Sequence, residues 1–257
     1  MDKLLQDQVA VVTGGASGIG RSICRLFAEE GATVIVADLQ AAPREGDDPP
    51  IHEVIQDKLG GEARFVECDV TNPEQVADVM DVASELGGVD VLVNNAGVFR
   101  QHDFLSMSVE DFDFIMDINV KAAFFMAQSA ARQMVEKERG VIINVSSVAG
   151  IQGTGGFTTY CASKGAMRLF TYALAQELAP KGIRVNSLHP GLIDTKMTTD
   201  DVAIIGAEMG EGFKQMIPMN RFGHPDEMAK AALFLASDMS SYMQGASLIA
   251  DGGLLRV

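Results

Sequence analysis

The stretch "TGGASGIGRSI", residues 13–23, follows the apolar run "QVAVV" and opens into a segment of helical pattern. Gly14, Gly18 and Gly20 sit in the turn. Such glycines let the backbone turn tightly, approach a pyrophosphate and pack the next helix close to a sheet. That helix then offers its N-terminal amides and the positive end of its dipole to phosphate. Strand, glycine turn and helix in this order predict the start of a dinucleotide-binding unit, with Ser17 and Ile19 in the same turn. The spacing is TGxxxGxG rather than GxGxxG, so the order of the elements carries the weight.

The same alternation continues along the chain. "ATVIVAD" (32–38), "EARFVECD" (62–69), "VDVLVNNAG" (89–97), "GVIINVSS" (140–147), "GIRVNSLHPG" (182–191) and "GASLIADGG" (245–253) are compact apolar runs ending in polar residues or glycine. Longer helical patterns lie between them, such as Ile19 to Glu30 and Pro73 to Leu86. Continuous apolar strands separated by helices predict a doubly wound α/β (Rossmann) fold. A parallel seven-stranded sheet carries helices on both faces, and ligands bind beyond the carboxyl ends of its strands. No linker or repeat divides residues 1–257, so one domain is expected. The acidic, proline-rich "QAAPREGDDPPIHE" (40–53) is expected as an irregular surface loop after the second strand.

Composition narrows the function. The chain is 47% hydrophobic and 21% charged, as soluble globular proteins are, and no apolar run reaches the roughly 18–20 residues of a membrane span. The N-terminus lacks the pattern of a secretory signal, so a cytoplasmic protein is expected. A net charge of −15 argues against nucleic acid or anionic membrane as a partner. Cys24, Cys68 and Cys161 form no CxxC pair and read as free thiols. The four histidines show no HxxxH or HExxH spacing, so no metal site is expected.

The second strand ends at Asp38, eighteen residues after Gly20. A carboxylate there accepts hydrogen bonds from the adenosine ribose and repels a 2′-phosphate, which favours NAD over NADP. Ser17 and Leu39 stand where a basic residue would meet that phosphate. Arg44 complicates this, because it could fold back toward the ribose.

Near the middle of the chain, "TTYCASKGA" (158–166) sets Tyr160 four residues before Lys164, on one face of a helix. A free tyrosine has a pKa near 10, and a lysine charge beside it favours phenolate, making the phenol a usable acid and base. Cys161 beside it is read as a packing residue.

TGGASGIG (13–20), Asp69, NNAG (94–97), Asn119, Ser147, YCASK (160–164) and PG (190–191) together resemble the single-domain short-chain dehydrogenases/reductases over nearly the whole chain. The resemblance implies that Ser147, thirteen residues before Tyr160, hydrogen-bonds the substrate oxygen, with Ser146 as its neighbouring alternative. Lys164 would bind the nicotinamide ribose. Asn119 would hold a water in a proton relay, unless it only caps or kinks the long helix. Asn94, Ala96 and Gly97 are expected at the cofactor, Asp69 and Val70 at the adenine, and Pro190, Gly191, Ile193 and Thr195 at the nicotinamide. His189 reads as packing near the site.

The expected function is NAD-dependent interconversion of a secondary alcohol and a ketone. A 3-oxoacyl-carrier-protein reductase is the alternative enzyme, though such enzymes usually prefer NADP and this acidic chain shows no basic docking cluster. A non-catalytic nucleotide-binding protein is the third reading, and it has no need of a poised phenol. A lid at about 192–219, with Phe157, Met197, Ile204, Ile205 and Met216, predicts a mostly apolar pocket where Gln152 and Thr154 offer polar contacts. Helical stretches 122–131 and 165–179 are apolar beyond one face. They predict either a deep core position or, with the family resemblance, burial in a homotetramer.

Overall fold

The computed structural model describes residues 3–44, 46, 48–205 and 208–255. Each apolar run forms a strand: β1 (Val9–Thr13), β2 (Thr33–Asp38), β3 (Ala63–Glu67), β4 (Val91–Asn94), β5 (Gly140–Val145), β6 (Ile183–Pro190) and β7 (Ser247–Ala250). All pairings are parallel, and the strands lie in the order β3-β2-β1-β4-β5-β6-β7. The helices are α1 (Gly18–Glu29), α2 (Ile51–Val54), α3 (Pro73–Glu85), α4 (Val109–Met116), α5 (Ala123–Glu136), α6 (Thr158–Leu178), α7 (Glu208–Met216) and α8 (Pro225–Ala236).

Strand alternation feeds two cores. Ala10, Val12, Val34 and Val36 pack with Ile23 and Phe27 of α1 and Ala232 of α8. Their neighbours Val9, Val11 and Ile35 point to the opposite face, against Val79 of α3 and Met126 and Ala130 of α5. Both faces of the sheet are thus covered, and full burial of each large aliphatic side chain contributes about 1.5–3 kcal/mol. β1 pairs with β2 on one side and β4 on the other. The chain reverses its winding direction there, and a crevice opens beyond the carboxyl ends of β1 and β4.

Three expectations change in detail. The irregular loop ends at residue 50, because Ile51 and Ile55 are buried and start a short helical segment against α1. Residues 45 and 47 of that loop, and 206 and 207 of the lid, lie outside the described residues. Within the lid a π-helical turn, Met197–Asp201, precedes α7. The apolar stretches of α5 and α6 are core on one side only: Ala127 and Met167 are buried, while Phe124, Phe125 and Leu169 are exposed. Among the described residues no helix is long and apolar enough to cross a membrane.

Candidate active site

A cleft of about 710 Å³ runs along the carboxyl ends of the strands, from Asp38 to Tyr160 and Lys164. Its middle is the turn after β1. Gly14 has φ +63°, a conformation that disfavours a side chain, and a β-carbon there would also stand 3.0 Å from the Ala96 Cα. Gly20 does not reach the cleft; a β-carbon on it would land on the Gly14 carbonyl oxygen, so it packs α1 against the turn. Ser17 precedes α1 without capping it: its hydroxyl accepts from the Arg44 backbone N–H at 2.8 Å. Ser17, Gly18 and Ile19, the start of the helix, line the cleft.

Residues the sequence did not single out lace β1 to β4. Thr13 Oγ1 accepts the N–H groups of Asn95 and Ala96, both at 3.0 Å. Asn95 Nδ2 donates to the carbonyls of Thr13 at 2.9 Å and Gly14 at 3.1 Å. Asn94, expected at the cofactor, is instead turned beneath the cleft. Its Nδ2 donates to the Asn144 Oδ1 at 2.9 Å and to the Ala123 carbonyl at 3.2 Å. Side chains alternate as β4 ends, so only one of two adjacent asparagines can face the crevice. Ala96 and Gly97 do line it.

At one end Asp38 is oriented by two backbone donors: Ala16 N–H to Oδ2 at 2.9 Å and Leu39 N–H to Oδ1 at 2.8 Å. Leu39, Asp69 and Val70 complete that end. Arg44 also lines it, but its guanidinium is paired with Asp201 of the lid through two bonds, 3.0 and 2.7 Å.

At the other end α6 carries Tyr160 and Lys164, and the end of β5 carries the serines. Ser146 also lines the cleft, but its hydroxyl is occupied, donating to the Lys164 carbonyl at 2.8 Å. Ser147 and the Tyr160 phenol face the same end of the cleft, and Ser147 Oγ accepts from the Ala149 N–H at 3.1 Å. Lys164 Nζ donates to the Val145 carbonyl at 3.1 Å. Burial pushes the Tyr160 phenol up to about 12, partly opposed by the nearby Ser147 hydroxyl, and it pulls the Lys164 ammonium down to about 8. The expectation that the lysine charge lowers the phenol is therefore corrected. Removal from water dominates for both groups.

Asn119 lies behind the wall rather than on it. It sits in the π-helical stretch Asp117–Ala122 that joins α4 to α5. Its Oδ1 accepts from Val98 N–H at 2.8 Å, and its Nδ2 donates to the Val98 carbonyl and to Ser163 Oγ, both at 3.0 Å. It thereby locks the Gly97–Val98 backbone, and a β-carbon on Gly97 would stand 3.5 Å from Lys164 Nζ.

Pro190, Gly191, Ile193 and Thr195 line the cleft beside this end. Phe157, Met197, Ile204 and Met216 form an apolar lobe with Phe99 and Phe213, where Gln152 and Thr154 are the polar contacts. Ile205 packs against the lobe without lining it, and Cys161 is half-buried in the same cluster. Among the described residues no group of His, Cys, Asp or Glu is placed to hold a metal ion.

Residues 14–255 match the family profile described as enoyl-(acyl carrier protein) reductase. A 3-oxoacyl-[acyl-carrier-protein] reductase FabG of Thermotoga maritima is 40% identical, over 98% of this chain and 99% of its own. A cyclopentanol dehydrogenase of Comamonas sp. is 38% identical over 97% of both chains. A solved structure from Beutenbergia cavernae, assigned as an NAD(P)-dependent gluconate 5-dehydrogenase and holding NADP at low occupancy, superposes with TM-score 0.90. It is 33% identical, with all of both chains covered.

Proposed function

The chain belongs to the short-chain dehydrogenase/reductase family of oxidoreductases, and on that premise we propose that it interconverts a secondary alcohol and a ketone with NAD(H), Tyr160 serving as general acid and base. The observation that carries this is the Tyr160 phenol, on the wall of a cleft that Ser147 also lines and one helical turn from Lys164. Tyr160 takes the alcohol proton in oxidation and returns it in reduction, while the Ser147 hydroxyl holds the substrate oxygen. Lys164, its ammonium tethered at Val145, supports the phenol from behind. Asn119 keeps the Gly97–Val98 backbone in place beside it.

The cleft fits a dinucleotide. The glycine turn leaves the amino end of α1 facing it, a ready place for a pyrophosphate. Asp38, aimed by its two backbone donors, suits ribose hydroxyls and repels a 2′-phosphate. Ser17, Gly18, Ile19, Leu39, Asp69 and Val70 would hold the adenosine half; Ala96, Gly97, Pro190, Gly191, Ile193 and Thr195 would hold the rest. When bound, the nicotinamide accepts or supplies the hydride. The apolar lobe favours a hydrophobic, cyclic secondary alcohol.

The relative named as a 3-oxoacyl-carrier-protein reductase supports a second reading, reduction of a 3-oxoacyl thioester with NADP(H). Initial rates on cyclic secondary alcohols with NAD and NADP, and on 3-oxoacyl carrier-protein thioesters with NADH and NADPH, separate the two. Higher kcat/KM with NAD on the alcohols supports the first; higher kcat/KM with NADPH on the thioesters overturns it. The exposed Phe124, Phe125 and Leu169 further support a homotetramer, which light scattering tests.

A further inference from the structure

Ser147 is braced from below by a histidine that the scheme above leaves unused. His189, in β6, is fully buried, and its Nδ1 lies 2.9 Å from the Ser147 carbonyl oxygen. A carbonyl only accepts, so the proton sits on Nδ1, and in the neutral ring Nε2 accepts. The donor to Nε2 is the Ser187 hydroxyl at 2.8 Å, on the same strand face two residues away. Burial, reinforced by the positive charges of Arg168 and Lys164 and opposed by the Ser147 bond, holds the ring below the usual histidine range. The bonds continue outward. Ser187 Oγ is 3.4 Å from Ser247 Oγ, which is 2.7 Å from the Tyr172 hydroxyl, itself an acceptor from Arg168 Nε at 2.7 Å.

The Ser147 carbonyl is thus clamped twice, by His189 from the sheet and by the Gly150 N–H, 2.9 Å away, from the following turn. The peptide this carbonyl belongs to leads through Val148 to Ala149, whose N–H holds Ser147 Oγ. Rotation of that peptide would release the hydroxyl. We propose that His189 is a positioning residue: its Nδ1–H fixes the peptide after Ser147 and so aims the Ser147 hydroxyl at Tyr160 and the substrate oxygen. This rests on the roles proposed above for Ser147 and Tyr160.

Two substitutions separate the ring's two contacts. His189→Asn keeps a donor at the Nδ1 position, whereas His189→Gln moves its amide to the Nε2 position and leaves the carbonyl unheld. The Asn variant should keep kcat near wild type. The Gln variant should lose about 10- to 100-fold in kcat, with NADH affinity by fluorescence titration unchanged. In a Ser147→Ala background the Gln substitution should cause no further loss. Should the Gln variant fail to fold, Ser187→Ala, which frees the far side of the ring, should show a smaller loss of kcat with the same dependence on Ser147. Equal kcat for the Asn and Gln variants, no loss in Ser187→Ala, or a loss that persists without Ser147 overturns the proposal. Tyr160→Phe run alongside tells the two failures apart, because activity there removes the mechanism itself.

Discussion

Lys164 Nζ stands 5.7 Å from the centroid of the Tyr160 ring, yet it spends its hydrogen bond on the Val145 carbonyl. The two groups share one wall of the cleft, and burial drives both toward their neutral forms, the phenol to about 12 and the ammonium to about 8. The phenol is therefore a well-held acid at neutral pH and a base only as the pH rises.

That asymmetry sets the pH dependence of the two directions. Oxidation needs the phenol to accept a proton, so kcat/KM for an alcohol should climb across pH 7–10. Reduction needs the phenol to give one, so kcat/KM for the ketone should not climb over the same range. Initial-rate profiles in both directions check this.

Lysine burial also leaves a mark on stability. Below pH 8 the folded chain must hold the Lys164 charge out of water; between 8 and 10.5 it sheds the proton while the unfolded chain keeps it. Stability of the wild type relative to Lys164→Met should therefore rise with pH over that window, by up to about 3 kcal/mol. Urea unfolding at pH 7.5, 9 and 10 measures it.

Cofactor choice should hinge on Asp38, with Asp201 as a second control. Asp38→Ser removes the charge that opposes a 2′-phosphate, and kcat/KM with NADP relative to NAD should rise about 10- to 100-fold. Asp201→Asn weakens the paired bonds that keep Arg44 on the lid. Added to Asp38→Ser, it should raise NADP use further, as competing steady-state assays with the two cofactors would show.

The turn after β1 tolerates no methyl group at position 20. A β-carbon there would land on the Gly14 carbonyl and stand 2.6 Å from Asn95 Nδ2. Gly20→Ala should cost about 1–3 kcal/mol of stability and weaken NADH binding at least tenfold. Urea unfolding and fluorescence titration read the two effects.

Local patterns made the fold legible. Apolar runs of strand length alternating with helical segments specify the parallel sheet, and the glycine turn and Asp38 follow from their place at strand ends. The spacing of Tyr160 and Lys164 was equally readable, because helical geometry alone puts them on one face. What depended on register or burial was not. The order of Asn94 and Asn95 about the crevice is set by how β4 ends against β1. Arg44 and Asp201 are 157 residues apart and meet only across the cleft. His189 reaches Ser147 through the pairing of β5 with β6, which no local pattern announces. The phenol's upward shift comes from removal of water, and a neighbouring charge in sequence pointed the other way.

The central claim is that Tyr160 moves the proton, and Tyr160→Phe tests it most directly. With NAD and a cyclic secondary alcohol, the variant should lose roughly 10²–10⁴-fold in kcat while binding NADH as the wild type does. A variant that keeps wild-type kcat with intact cofactor binding would contradict the account.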